Sequence, residues 1–130
     1  MSIITKTDAE IDLMREPCAI VRDTLAFVGE RISAGMSTKE VDELVERFIR
    51  AAGAYPSCLG YGGFPASACV SVNEVVVHGI PDDKTILKDG DIVSVDLCAY
   101  KNGFHGDAAR TFLIGNVSEE KRTDRKSTRL

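Results

Sequence analysis

Residues 91–114 read DIVSVDLCAYKNGFHGDAARTFLI, and this stretch decides the fold. Two runs rich in β-branched and aromatic residues, 91–100 and 104–114, flank Lys101-Asn102-Gly103. Asn-Gly readily takes the positive φ values of a two-residue hairpin turn. With that turn, 101 pairs with 104, 98 with 107 and 96 with 109. Side chains alternate along each strand, so 96, 98, 107 and 109 share a face and Asp96 and Asp107 become diagonal neighbours. Val93, Val95, Leu97, Phe104, Phe112 and Ile114 take the opposite face, which has to be covered. A bulge would shift this register by one residue.

Upstream, 68–72 and 75–77 read as further strands, and 54–66 is turn-rich, with Gly60, Gly62 and Gly63 close together. Two amphipathic helices precede them. Ile11, Met14, Cys18, Val21, Leu25, Val28 and Ile32 recur at steps of three and four, after a Thr7/Glu10 capping box and before Gly35. Pro17 conflicts with an uninterrupted helix, so a kink near 13–17 or a fresh start at Pro17 is expected. The second helix runs from about Thr38 to Ala52, with Ser37/Glu40 at its start, Val41, Leu44, Val45, Phe48, Ile49 and Ala52 inward, and Gly53 closing it. The architecture is α+β, with helices packed on one side of a mainly antiparallel sheet. Residues 121–130, with five bases and one acid, read as a solvated tail.

The chain has 130 residues, 44% of them hydrophobic and 28% charged, within the range of a single domain. Residues 1–116 carry 11 basic and 17 acidic side chains. This acidic body gives no electrostatic reason to expect nucleic acid as a partner. No run of about 18 apolar residues predicts a membrane span, and the N-terminus lacks the apolar core of a signal peptide. The four cysteines form no Cys-x-x-Cys motif and are expected as reduced thiols in a cytoplasmic chain.

Two carboxylates on adjacent strands repel each other and are costly to bury. Either they sit on an open, solvated sheet face or divalent cations offset them. Arg110 points to the other face by alternation. His78, between a strand end and a Gly/Pro turn, is either a half-exposed loop residue or a group placed to exchange hydrogen bonds or protons with a substrate. His105 reads as a strand side chain rather than a ligand. Residues 60–63 match no phosphate-binding glycine motif. No Ser or Cys has an evident base partner. These features suggest metal-assisted hydrolysis without specifying the bond.

Gly60-Tyr61-Gly62-Gly63-Phe64-Pro65, Asn73-Glu74 through His78-Gly79-Ile80-Pro81, Asp89-Gly90-Asp91 with Asp96, and Asn102-Gly103-Phe104-His105-Gly106-Asp107 together resemble type I methionine aminopeptidases over about residues 3–120. The resemblance implies the pita-bread fold, of which residues 1–120 would form the N-terminal half. It also implies two divalent metal ions (cobalt, manganese, iron or zinc), with Asp96 chelating one and Asp107 bridging both. His78 would be the catalytic residue that contacts substrate near the scissile amide, and Cys58, Tyr61, Phe64 and Cys69 would line the methionine pocket. The implied function is removal of the N-terminal methionine from nascent proteins with a small second residue. Nascent polypeptide N-termini would be the partners, the ribosome a candidate one, and the protein a monomer. Alternatives are a prolidase-like metallopeptidase or a non-catalytic pita-bread module that binds protein or RNA. The remaining metal ligands of that family, one histidine and two glutamates, belong to a second half. The expectation is therefore a truncated chain that is inactive alone, with a disordered or non-native tail over 121–130.

Overall fold

The computed structural model describes the backbone of residues 2–128 and the side chains of residues 2–123. The order is α1 (Asp8–Arg31), α2 (Thr38–Ala51), β1 (Tyr55–Pro56), β2 (Ala68–Val72), β3 (Ile92–Lys101), β4 (Phe104–Leu113) and α3 (Glu119–Thr128). β3 is the centre of a four-stranded antiparallel sheet. β4 runs along one edge for its full length, while β2 and β1 pair with successive parts of the other. The hairpin register is the one the Asn-Gly turn predicts, with Lys101 opposite Phe104, Cys98 opposite Asp107 and Asp96 opposite Ala109. Asn102 and Gly103 have φ of +58° and +80°.

Alternation then sorts the residues of β3. Val93, Val95, Leu97 and Ala99 are fully buried against Val21 and Val28 of α1 and Val41, Val45 and Ile49 of α2. Burying such side chains contributes roughly 1.5–3 kcal/mol each, so this one face holds the helices to the sheet. Both helix starts are capped as expected. Thr7 and Glu10 exchange both bonds of a capping box, and the Ser37 hydroxyl accepts from the Glu40 amide at 3.1 Å.

Three details differ from the sequence reading. First, α1 runs unbroken through Pro17 and ends at Arg31, before Gly35. The proline leaves the Leu13 carbonyl without its helical donor. The Asn102 amide reaches across from the hairpin turn and donates to that carbonyl at 3.3 Å and to Glu16 at 2.9 Å. Second, the inward face of α1 is rotated at its N-terminal end. Pro17, Ile20 and Thr24 are buried, while Ile11 and Cys18 are exposed. The cause is a close crossing, because a Cβ on Gly106 would lie 2.6 Å from the Pro17 carbonyl carbon. Third, Val75–Val77 form no strand. Asn73 turns the chain at φ +51° and its side chain bonds to Asp91 and the Ile92 amide. That leaves Val75, Val76 and Val77 exposed. In exchange, Tyr55 and Pro56, read as turn, pair with Tyr100 and Ala99 as β1. Where the sequence suggested a tail over 121–130, the backbone continues as α3 to Thr128, and residues 129 and 130 lie outside the described residues.

The α1–hairpin crossing is testable by two substitutions. Gly106→Ala forces a methyl group into the Pro17 backbone and is expected to cost about 1–3 kcal/mol of unfolding free energy. Asn102→Gly keeps the positive φ of the turn and loses only the amide contacts, so its cost is expected to be about 0.5–1.5 kcal/mol. Urea unfolding of both variants checks the pair.

Candidate metal and substrate site

The face of β3 and β4 turned away from the helices carries Asp96, Cys98, His105 and Asp107. Asp96 is half-buried and Asp107 exposed, and their carboxyl groups are within hydrogen-bonding reach. Burial, then the charge of Asp107 and the contact between the two carboxyls, push Asp96 above the ordinary aspartate range, against a smaller opposing effect of His78. Among the described residues, neither aspartate has an ion-paired lysine or arginine. Arg110 lies on the helix side, its guanidinium 5.2 Å from the centre of the Phe112 ring. Two oxygen-donor groups held together without a protein cation form a suitable pair of ligands for a hard or borderline divalent ion. They are two groups only, and among the described residues no cluster of three or more metal-binding side chains occurs.

His78 is held near this pair by local backbone geometry. Its φ is +57°, an uncommon conformation for a side-chain-bearing residue. The following residue supplies the anchor: the Gly79 carbonyl accepts from the Val70 amide at 2.9 Å, and its amide donates to the buried Ser71 hydroxyl at 3.0 Å. A Cβ on Gly79 would overlap the Val70 carbonyl, so only glycine allows the approach.

A cavity of about 410 Å³ opens beside the carboxylates and is lined by Cys58, Tyr61, Phe64, Cys69, His78 and Ile80. The five residues picked out from the sequence therefore come together, joined by Ile80, which sequence reasoning passed over as part of a Gly/Pro turn. The glycine loop places two of them. Gly60, with φ +83°, donates its amide to the Phe64 carbonyl at 2.8 Å, closing a tight turn that presents Tyr61 and Phe64. Cys69 lies directly opposite Asp96 in the β2–β3 register, which joins the cavity to the carboxylate pair.

Three thiols border the site. The Cys98 thiol is in hydrogen-bonding contact with that of Cys58 and with Asp107. The contact with Cys98 pulls Cys58 down to about 7 and pushes Cys98 up, whereas burial pushes Cys69 up to about 11. Cys98 was visible as a neighbour of the aspartates in the alternation, but nothing in the sequence pointed to Cys58 as its companion. His105 shares this face and is engaged by other partners. Its Nδ1 is 2.8 Å from the Ser57 hydroxyl and its ring stacks at 4.8 Å on Tyr100. This corrects the reading that no serine has a base partner, because the two residues are 48 positions apart and only the sheet brings them together.

Comparison with known proteins supplies the relatives. Residues 12–127 match the model of metallopeptidase family M24. The chain is 52% identical over 118 residues to a methionine aminopeptidase of Clostridium acetobutylicum, covering 91% of this chain and 47% of that protein. It superposes on a methionine aminopeptidase structure from Thermotoga maritima with a TM-score of 0.94 and 38% identity, covering 98% of this chain and 51% of that one. A prolidase structure from Pyrococcus furiosus matches with a TM-score of 0.77 and 26% identity, covering 92% and 34%. The chain thus spans between about a third and a half of the length of the curated relatives it matches, from 31% to 47%. No described helix is long and apolar enough to cross a membrane.

The carboxylate pair sets a pH signature. A raised Asp96 means that the folded chain binds this proton more tightly than the unfolded chain. Its contribution to stability therefore falls as pH rises from the unfolded value, about 3.9, through the raised folded one. Asp107→Asn removes the repelling charge. Urea midpoints compared between pH 4 and pH 8 are expected to drop less in this variant than in the parent chain, leaving the metal-free variant the more stable at pH 8.

Proposed function

Because the chain belongs to metallopeptidase family M24, we propose that it provides the two-aspartate side of a divalent-metal centre and the side-chain pocket of a peptidase that removes N-terminal methionine. The observation that carries this reading is the adjacency of the two parts. Cys69 on the cavity wall faces Asp96 across the β2–β3 ladder, and His78 lies on the same wall.

Asp96 and Asp107 would hold the cations, of which two are inferred. When bound, divalent ions supply Lewis-acid polarisation of a carbonyl and lower the pKa of water. The residues of the chain account for two further tasks, side-chain recognition and contact with the amide. The cavity offers two aromatic rings, an aliphatic side chain and sulfur, surroundings that suit an unbranched thioether, since methionine sulfur packs favourably against aromatic edges. His78, fixed by Gly79, is placed to hydrogen-bond the substrate beside the amide that is cut, where such a contact steadies charge developing in the transition state. The inferred substrate is the free N-terminus of a polypeptide with a small second residue. Two carboxylates are fewer groups than a pair of such ions needs, so the 130-residue chain alone is expected to bind metal weakly and hydrolyse nothing.

A chimera tests this reading. Residues 3–116 would replace the matching segment of the Clostridium acetobutylicum relative, and release of methionine from a Met-Ala-Ser peptide would be measured with cobalt or manganese. Release is expected. Asp107→Asn should reduce it by more than about 100-fold, since even outer-shell partners of a metal ligand are worth 10–100-fold. His78→Ala should lower kcat by about 10²-fold with KM little changed. A folded, metal-loaded chimera that cuts an X-Pro dipeptide and not Met-Ala-Ser would move the assignment to the prolidase side.

A further inference from the structure

We propose that Cys58 and Cys98 form a reversible dithiol–disulfide pair, a modification site on the sheet face beside Asp107 that gives up two electrons to a small-molecule disulfide as oxidant. This inference is independent of the peptidase reading.

Three observations place the sulfurs together. β1 pairs with β3 through Pro56 and Ala99, and the next link is the Ser57 amide donating to the Cys98 carbonyl at 3.0 Å. Cys58 therefore leaves the ladder one residue beyond the position opposite Cys98. Neighbouring strands lie about 4.8 Å apart and advance about 3.3 Å per residue, so one step past the facing position is roughly 6 Å away at Cα, within the spacing of about 4.4–6.8 Å that a disulfide spans. The two thiols are near enough to shift each other's titration in opposite directions, and both side chains open onto the same space. Both are half-buried and line one cavity of about 280 Å³ with Ser57, Tyr61 and His105, which gives a small oxidant access. The other cysteines are placed differently: Cys18 is exposed on α1, which covers the opposite face of the sheet, and Cys69 is buried on β2.

The exchange balances in two steps. The Cys58 sulfur attacks one sulfur of a disulfide such as oxidised glutathione, breaking its S–S bond and releasing one thiol. The Cys98 sulfur then attacks the Cys58 sulfur of the mixed disulfide, releases the second thiol and closes the Cys58–Cys98 bond. Two protein thiols are oxidised and one disulfide is reduced to two thiols, with the two protein S–H protons leaving on the released thiols. Closure removes the S–H that Cys98 directs at Asp107.

The test uses the full 130-residue chain carrying Cys18→Ser, which prevents cross-linking between chains. After incubation with oxidised glutathione and alkylation of the remaining thiols, mass spectrometry is expected to show a loss of two alkylated thiols per chain. Digestion should yield a cross-linked peptide pair joining Cys58 to Cys98, reversed by dithiothreitol. Cys58→Ser and Cys98→Ser variants, checked for native circular dichroism, should instead keep glutathione on the remaining thiol. A Cys58–Cys69 cross-link in the parent, stable glutathione adducts without a cross-link, or full retention of both thiols would each overturn the proposal, and the parent-chain result decides even if a variant misfolds.

Discussion

The pairing of β3 with β4 in one fixed register is the constraint on which the rest of this structure depends. A strand has two faces, and a one-residue slip exchanges them. In the register set by Asn102 and Gly103, the fully buried Val93, Val95, Leu97 and Ala99 face the helices, and Asp96 and Cys98 face away with Asp107. A slip of β3 by one residue would put Asp96 into the apolar layer, turn its four hydrophobic side chains into water and separate the two aspartates onto opposite faces. Core formation and assembly of the carboxylate pair are therefore the same event.

The same turn also governs how α1 docks. Pro17 costs the helix one backbone bond, and the hairpin supplies a substitute donor from Asn102. Gly106, opposite Ala99 in the ladder, has no side chain and lets the Pro17 backbone come close. The proline is thus a contact point between helix and sheet instead of a kink. It rotates the helix so that Pro17, Ile20 and Thr24 turn inward, with the Thr24 hydroxyl bonded to the Ile20 carbonyl at 2.6 Å. Around the site lie residues with unfavourable local geometry. His78 has positive φ, the two aspartates are diagonal neighbours across β3 and β4, and Val75–Val77 are left in solvent. Each of these costs stability, and each is held in place by the surrounding ladder and core.

How much was legible follows from the range over which each signal acts. The hairpin, both helix starts and the alternation around Asp96 and Asp107 are local patterns, in which neighbours in sequence decide the geometry. They could be read from 91–114 and from the capping residues, and the four residues lining the larger cavity with His78 (Cys58, Tyr61, Phe64 and Cys69) were recognisable as motifs. Val75–Val77 misled, because a β-branched run favours a strand only when a partner edge is available, and Asn73 turns the chain off the edge before it can pair. The Ser57–His105 pair and the Cys58–Cys98 contact were invisible for the complementary reason. Tyr55-Pro56 looks like a turn, yet it docks on Tyr100 and Ala99 and carries the next two residues alongside β3.

The sequence by itself determined the α+β class, the register of the central hairpin and the shared face of its two aspartates, since turn chemistry and a period of two act over a few residues. Only the tertiary structure decided which face of α1 turns inward, that Pro17 lies within a continuous helix, and which thiol and which serine meet Cys98 and His105. Those outcomes depend on contacts between segments 40 to 90 positions apart, whose geometry is set by close packing of backbone on backbone and leaves no periodic trace in the chain.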